Sequence, residues 1–215
     1  EWCYWLKDAE PSILKKSLTL NIILKEIQSF RLKSSRGKTH DMAAYPGLFG
    51  EERQPKSNFL LIPKVSSETR RYIPIGYMTA DDIITDKVFA FPNASIYHFG
   101  ILTSIMHMVW VRYTCGRMKS DYSYSNTVVY NNYPWPEILT DKQKQNVELA
   151  AQTILDTRAQ FPGSSLADLY HPNTMPPILV KAHQQLDKAV DQCYRSQPFT
   201  SEAKRIEFLF EIYEK

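Results

Sequence analysis

The first half of the chain combines one amphipathic segment with several short apolar runs. After Pro11, the apolar residues Leu20, Ile23, Leu24 and Ile27 recur at i, i+3, i+4 and i+7, which places their side chains on one face of a helix. We therefore predict a helix over residues 12–33. Apolar runs rich in Ile, Phe and Tyr then cover residues 59–62, 72–77 and 88–91, and prolines interrupt them. Such runs predict short strands, some of them at sheet edges, where proline is tolerated.

A longer apolar segment follows at residues 95–113. It is apolar almost all round and too long for one strand, so it predicts a buried helix. Residues 127–130 are rich in β-branched side chains, which predicts one more strand. The run from Asn131 to Pro136 then ends the regular pattern, and we interpret it as a turn.

The remaining residues predict helices alone. Thr140 and Gln143 form a capping box ahead of an apolar stripe with helical period. Pro177 is placed to open a second long helix, and Thr200 to cap a last one. With a short helix between them, these make a small bundle. The predicted fold class is α+β, with a mixed α/β domain at residues 1–136 followed by a small all-α helical domain at residues 137–215.

Composition narrows the class of protein. The 215 residues are 43% hydrophobic and 23% charged, which excludes a disordered chain. No apolar run approaches the roughly 20 residues that a membrane helix needs, so we predict no membrane association. The chain begins at Glu1 and Trp2 without the layout of a signal peptide, and we interpret it as a piece of a longer protein.

Positive charge is concentrated in the first part of the chain. Residues 1–136 carry 17 Lys and Arg against 12 Asp and Glu, whereas residues 137–215 carry 9 against 11. A basic surplus suits a polyanion, because neutralisation of phosphates supplies most non-specific affinity for DNA. A basic face that serves only solubility has the same composition, so charge alone does not decide the function.

One short motif adds chemistry to this charge. Lys119-Ser120-Asp121 places a cation and a carboxylate two residues apart. An ammonium group can donate to O6 and N7 of guanine, while a carboxylate accepts from N4 of the paired cytosine. Lys119 and Asp121 could thus read both halves of a G·C pair. Most such pairs on protein surfaces are solvated charges that contribute little, and the motif by itself does not decide the matter.

The sequence lacks the motifs of a self-contained enzyme. A DNA methyltransferase needs a glycine loop for its nucleoside cofactor and a polar-Pro-Pro-aromatic tetrapeptide that grips a flipped adenine. None of the seven glycines forms Gly-x-Gly, and residues 131–134 hold Asn, Tyr and Pro in the wrong order. The cysteines and histidines are scattered. We therefore predict no catalytic, cofactor-binding or metal-binding residues in this chain.

Several motifs together resemble the C-terminal region of MmeI-like DNA methyltransferases, and the resemblance covers essentially the whole chain. In chain order they are RRYIPIGY at residues 70–77, YHFGILTS at 97–104, the segment 115–125 and VYNNYPWP at 129–136. The tail adds ADLY at 167–170, TMPP at 174–177 and FLFE at 208–211. The resemblance implies a target recognition domain and a helical domain.

The resemblance also implies a larger parent protein. The family contains type IIG and IIL restriction-modification enzymes and stand-alone methyltransferases of bacteria and archaea, so a cytoplasmic location is expected. Their other parts carry the nuclease and the adenine-N6 methyltransferase, which uses S-adenosyl-L-methionine. The expected partners are double-stranded DNA and the methyltransferase domain of the same polypeptide, and this chain alone is expected to be inactive.

Within the family, the base-reading positions correspond to Lys119, Asp121 and Ser123, with a further one that we place at Lys87. Relatives can carry Glu and Arg in place of the Lys119 and Asp121 pair, a reversal that would exchange G·C for C·G. Contacts to phosphate should outnumber contacts to bases. The candidates for phosphate contact are Arg36, Lys38, Lys64, Ser66, Ser67, Arg70, Arg117 and Tyr124.

A second class of function stays open at this point. The acidic balance of residues 137–215 suits protein contact better than DNA contact. The chain could therefore act as an interaction or scaffolding piece whose helical tail packs on the parent enzyme or on another subunit.

Overall fold

The computed structural model describes residues 3–214, so Glu1, Trp2 and Lys215, at the ends of the two predicted domains, lie outside the described residues. The chain divides into two compact units, with Arg53 at the end of the first and Gln54 at the start of the second. The domain boundary predicted between residues 136 and 137 stays a prediction. Residues on both sides of it share one hydrophobic core.

The first unit is helical. Its elements are α1 (Pro11–Lys16), α2 (Leu18–Leu32), α3 (Gly37–Asp41) and a 3-10 turn (Met42–Ala44). The single helix predicted over residues 12–33 is wrong in one respect, because Ser17 interrupts it. Ser17 adopts an extended backbone, and its hydroxyl accepts a hydrogen bond from the Leu20 amide at 3.3 Å, which caps α2.

The second unit contains two antiparallel sheets of three strands each. The strands are β1 (Phe59–Pro63), β2 (Val65–Ser66), β3 (Gly76–Met78), β4 (Val88–Pro92), β5 (Gly116–Met118) and β6 (Asp121–Ser123). The first sheet has the order β3-β1-β4 and the second the order β2-β6-β5. The strands predicted at residues 59–62 and 88–91 are confirmed as β1 and β4.

Two other predicted strands are corrected. Of residues 72–77, only Gly76 and Tyr77 lie in a strand, and the residues before them form a buried loop. Pro74 has no backbone N–H group that could donate a hydrogen bond to a neighbouring strand. Residues 127–130 lie instead in a π-helical turn, Asn126–Tyr130. The Ser125 hydroxyl accepts from the Val128 amide at 3.3 Å, so a local cap outweighs the strand preference of the valines.

The buried helix predicted at residues 95–113 is two helices, α4 (Ile96–Leu102) and α5 (Ile105–Thr114). The break is stabilised from a distant part of the chain. Asp187 accepts a hydrogen bond from the Ile105 amide at 2.7 Å and another from the Tyr72 hydroxyl at 2.7 Å. Burial of this carboxyl group raises its pKa to about 6.

The C-terminal helices agree with the predicted bundle. They are α6 (Asp141–Ala159), the short α7 (Leu166–Leu169), α8 (Pro177–Tyr194) and α9 (Glu202–Tyr213). The capping box of Thr140 and Gln143 is confirmed, as is the start of α8 at Pro177. The last cap is Ser201 rather than Thr200, because the Ser201 hydroxyl accepts from the Lys204 amide.

These helices support the rest of the second unit. Arg205 of α9 forms a bidentate ion pair with Asp191 of α8, with N···O distances of 2.9 and 2.5 Å. Arg112 at the end of α5 pairs with Glu202 of α9. The α+β fold class is confirmed, with small sheets followed by a helical region. No helix within residues 3–214 is long and apolar enough to cross a membrane.

Close packing of α4 on α6 depends on Gly100. A Cβ atom at this position would lie 2.7 Å from Cγ1 of Val147, closer than such carbon atoms approach in proteins, and 3.2 Å from Cβ of Ala151, which is tighter than most such contacts. Glycine is therefore required for contact between the helices, although it is a poor helix former.

We predict that Gly100→Ala lowers the free energy of unfolding by about 1–2 kcal/mol, because overpacking exceeds the gain in helix propensity. Urea denaturation measures the change. The matched control is Gly163→Ala, where the added Cβ meets no atom within 4 Å of the described residues. Equal effects of the two substitutions would contradict the packing role.

Candidate nucleic-acid interface

The predicted base-reading residues lie on a tight hairpin. Strands β5 and β6 pair with Met118 opposite Asp121, so Lys119 and Ser120 form a two-residue turn. Lys119 has a φ of 57°, which lies in the left-handed region of backbone conformations. Glycine adopts this region readily, whereas residues with a Cβ atom adopt it at a cost. Its side chain is exposed at the tip of the hairpin, and Asp121 starts the returning strand.

Period-two alternation separates the residues of β6 into two faces. Tyr122 and Tyr124 are each 4% exposed and face the core. Asp121 and Ser123 are half-buried and point to the opposite face. The turn and alternation thus present Lys119, Asp121 and Ser123 together, as the sequence predicted, above a layer of buried tyrosines.

The Asp121 carboxylate is held in place by the backbone. Its Oδ1 atom accepts a hydrogen bond from the Glu68 amide at 3.3 Å. Glu68 lies in a turn between Ser67 and Arg70, which the Arg70 amide closes by donating to the Ser67 carbonyl at 3.1 Å. The hydrogen bond orients one carboxylate oxygen, and the turn brings two predicted phosphate-contacting residues, Ser67 and Arg70, next to the hairpin.

Lys64 connects the two sheets through its backbone. Its amide donates to the Lys87 carbonyl at 3.0 Å, which extends the ladder between β1 and β4. Its carbonyl accepts from the Tyr124 amide at 2.8 Å, which extends the ladder between β2 and β6. Lys87 and Tyr124 are thus both hydrogen-bonded to the backbone of one residue. The fourth predicted base-reading residue, Lys87, is therefore brought near the Ser123 end of β6.

The side chains of Lys64 and Lys87 differ in their surroundings. The Lys64 ammonium lies 4.8 Å from the centroid of the Phe89 ring, within cation–π distance. Lys87 is exposed, and its ammonium lies 3.4 Å from an oxygen of the equally exposed Asp86. Such a surface pair contributes little to stability, so Lys87 can exchange Asp86 for another acceptor.

Arg117 contacts two other residues of the hairpin. Its guanidinium lies 4.2 Å from the centroid of the Tyr122 ring and donates to the Ser120 carbonyl at 2.9 Å. The side chain nevertheless remains exposed, so its predicted contact with phosphate is compatible with its position.

Ser66 and Tyr124 need correction as phosphate candidates. Ser66 is 3% exposed and lies on the core side of the sheet. The Tyr124 hydroxyl lies 3.1 Å from Nε2 of the buried His107. Burial raises the pKa of Tyr124 above its ordinary value and lowers that of His107 to about 4, so both groups are neutral. Buried side chains cannot reach a phosphate, and we remove both residues from the set.

The remaining two candidates belong to the first unit. Arg36 occupies the N-cap position of α3, and its side chain is exposed. Lys38 is exposed as well, with its ammonium 3.4 Å from a carboxylate oxygen of Glu51. Both cations are therefore accessible on the surface of that unit.

Sequence reasoning missed the Glu68 amide and the junction at Lys64. Neither leaves a signal in the sequence, because both act through backbone atoms. The hairpin itself was also missed, since Lys119-Ser120 lacks the Asn-Gly or Asp-Gly pair that marks a two-residue turn.

This fold and its exposed hairpin define a target recognition domain joined to a helical domain. Residues 1–137 match the family model of the MmeI target recognition domain. Residues 138–215 match the model of the MmeI C-terminal domain. The chain therefore belongs to the MmeI family, and the resemblance that its motifs predicted is confirmed.

Two relatives are larger proteins that this chain matches over part of their length. DNA methyltransferase A of Bacillus subtilis (strain 168) is 37% identical over 214 residues, which are 100% of this chain and 24% of the relative. The solved structure of the type IIL restriction-modification enzyme MmeI in complex with DNA is 43% identical, with a TM-score of 0.93. That alignment covers 99% of this chain and 28% of MmeI. The chain thus spans about a quarter of each relative.

The positive φ of Lys119 predicts a measurable strain. We expect Lys119→Gly to raise the free energy of unfolding by up to about 1 kcal/mol, because relief of a backbone conformation that costs ~1–3 kcal/mol exceeds the added entropy of an unfolded glycine. Thermal unfolding measures the difference.

Ser120→Gly is the control, since residue 120 follows in the same turn without a positive φ. It should lower stability slightly. A Lys119→Gly variant that loses as much stability as Ser120→Gly would show that the turn stores no strain.

Proposed function

We propose that this chain is the sequence-specific recognition module of a DNA adenine-N6 methyltransferase, with or without an attached nuclease. It binds double-stranded DNA and presents the target adenine to a methyltransferase domain of the same polypeptide. The observation that carries the proposal is the pairing of an exposed Lys119 with a half-buried Asp121 on one hairpin, with the Asp121 carboxylate oriented by the Glu68 amide. Family membership supports it, as do a DNA methyltransferase relative and a relative solved with DNA.

Lys119 and Asp121 read a G·C pair in the major groove. The ammonium of Lys119 donates to O6 and N7 of guanine, and Asp121 accepts from N4 of cytosine. Because the Glu68 amide occupies Oδ1, the second carboxylate oxygen of Asp121 is the acceptor that the base meets. A carboxylate already oriented by the backbone loses less conformational freedom on binding than a mobile one.

Lys87 and Ser123 read a second position. The Lys64 junction fixes their separation, since it lies between the Lys87 carbonyl and the strand that carries Ser123. A hydroxyl group can donate or accept, so Ser123 adapts to the base that Lys87 selects.

Phosphate contacts hold the module on the duplex. The exposed or half-buried candidates are Arg36, Lys38, Lys64, Ser67, Arg70 and Arg117. Ser67 and Arg70 flank the base-reading hairpin, and Arg117 lies on its other face opposite Tyr122, so the three would set its register along the groove. The cations among the six would release counterions on binding, which makes affinity depend steeply on salt.

The chemistry belongs to the other part of the enzyme. S-adenosyl-L-methionine would bind in the methyltransferase domain, which would also hold the adenine after it leaves the base stack. This chain supplies position and specificity, and alone it would transfer no methyl group. As a cytoplasmic enzyme of a bacterium or archaeon, the complete protein would meet host DNA directly.

Scaffolding alone explains the chain less well. The helices α8 and α9 pack on α5 and on the Tyr72 loop of the same module. The helical tail therefore supports the recognition sheet from within, and this role needs no separate subunit.

The charge pair predicts a change of specificity. In the complete methyltransferase, Lys119→Glu combined with Asp121→Arg should convert one G of the methylated motif to C on the same strand, because donor and acceptor exchange places. Sequencing that detects methylated adenines before and after the exchange gives both motifs.

A matched control exchanges a charge pair elsewhere. Lys204 and Glu207 of α9 form an exposed ion pair at 2.6 Å, and Lys204→Glu with Glu207→Lys should leave the motif as it was. If the hairpin exchange retains activity and the original motif, the assignment of Lys119 and Asp121 fails.

A further inference from the structure

Two apolar side chains share the exposed face of the second sheet with the base-reading residues. Met118 on β5 lies directly opposite Asp121, and Val65 on β2 lies directly opposite Ser123. Directly opposed residues of antiparallel strands point to the same face, with Cβ atoms about 4.5–5.5 Å apart. Met118 is therefore the neighbour of the Asp121 carboxylate, and Val65 is the neighbour of the Ser123 hydroxyl.

Packing of the fold does not account for these apolar residues. Met118 is 56% exposed and Val65 is 38% exposed, whereas Tyr122 on the opposite face is 4% exposed. An antiparallel sheet with one buried face normally carries polar side chains on the other. Apolar groups on the solvated face, next to the base-reading residues, are available to a partner that binds there.

Gly116 leaves this face open. It is the β5 residue opposite Ser123, and an added Cβ would meet only Ser123 atoms, at 3.9 and 4.0 Å, among the described residues. The face thus consists of Asp121 and Ser123 in the middle strand, with Met118 diagonal to Val65 at its edges. Met118 and Val65, on the outer strands, thus lie on either side of the polar residues of the middle strand.

Duplex DNA offers one apolar group to such a surface. Thymine carries a methyl group in the major groove, which hydrogen-bonding side chains cannot read and apolar side chains can. Successive base pairs are about 3.4 Å apart along a strand, a spacing comparable to that between opposed Cβ atoms. A side chain beside Asp121 is therefore within reach of the base pair next to the one that Asp121 reads.

We propose that Met118 is a specificity-determining residue that contacts the thymine methyl of an A·T pair next to the G·C pair read by Lys119 and Asp121. Val65 has the same role next to the position read by Ser123 and Lys87. This inference rests on the proposed function, since it requires that the face lies in the major groove. Methionine suits the task because its flexible thioether fits irregular apolar surfaces.

Deoxyuridine tests the contact, because it differs from thymine by one methyl group. In binding measurements with the complete methyltransferase, deoxyuridine in the adjacent pair should weaken binding about four-fold, the factor that corresponds to one methyl group at about 0.8 kcal/mol. With Met118→Ala this sensitivity should disappear. Val65→Ala should remove the sensitivity at the other position and leave the first unchanged.

Two further variants separate specificity from folding. Met118→Gln keeps the length of the side chain and should lower the preference for thymine while the unfolding transition stays in place. Ile178→Ala changes an apolar residue of α8 that is 47% exposed, and it should retain full sensitivity to deoxyuridine.

The outcomes distinguish the two proposals. If the Lys119 and Asp121 exchange changes the motif but Met118→Ala keeps the deoxyuridine effect, the role of Met118 is overturned and the proposed function stands. A motif without an A·T pair next to that G·C pair also overturns it. If the charge exchange itself leaves the motif unchanged, the proposed function fails first.

Discussion

The site depends on the backbone of one residue, Lys64. Its amide completes the ladder of the first sheet at Lys87, and its carbonyl completes the ladder of the second sheet at Tyr124, with bonds of 3.0 and 2.8 Å. These bonds involve no side chain. The spacing between Lys87 and the β5–β6 hairpin is therefore set by the fold, and the side chains at those positions can change without moving the strands. Under the proposed function, substitutions at these positions alone would alter the specificity.

Beneath the exposed face, a buried layer keeps the sheet rigid. Tyr122 and Tyr124 pack inward, and the Tyr124 hydroxyl lies 3.1 Å from the His107 ring of α5. The start of α5 is bound in turn by Asp187 of α8, which is why residues after 137 share a core with the recognition sheet. Exposed side chains on a sheet held in this way keep their geometry, as the proposed discrimination between bases requires.

Sequence patterns predicted what local interactions determine. The helices after Thr140 follow from apolar period and caps within a few residues of each other. The errors lie where contacts leave no periodic signal: Asp187 binds the first amide of α5 at Ile105 from a distant part of the chain, and the nearby Ser125 caps a π-helical turn that contains two valines. Likewise, Lys119 and Asp121 could be singled out by their chemistry. The burial of Ser66 and Tyr124 could be found only once the strand register was known.

The proposed function requires that Lys119 reads guanine from the major groove. Binding of the complete enzyme to its motif with 7-deazaguanine at that guanine tests it, because this analogue lacks the N7 acceptor of the major groove. Hypoxanthine at the same place lacks instead the amino group of the minor groove. We expect roughly ten-fold weaker binding with 7-deazaguanine, for the loss of about 1.4 kcal/mol, and little change with hypoxanthine. If hypoxanthine weakens binding and 7-deazaguanine leaves the affinity unchanged, Lys119 does not read guanine from the major groove.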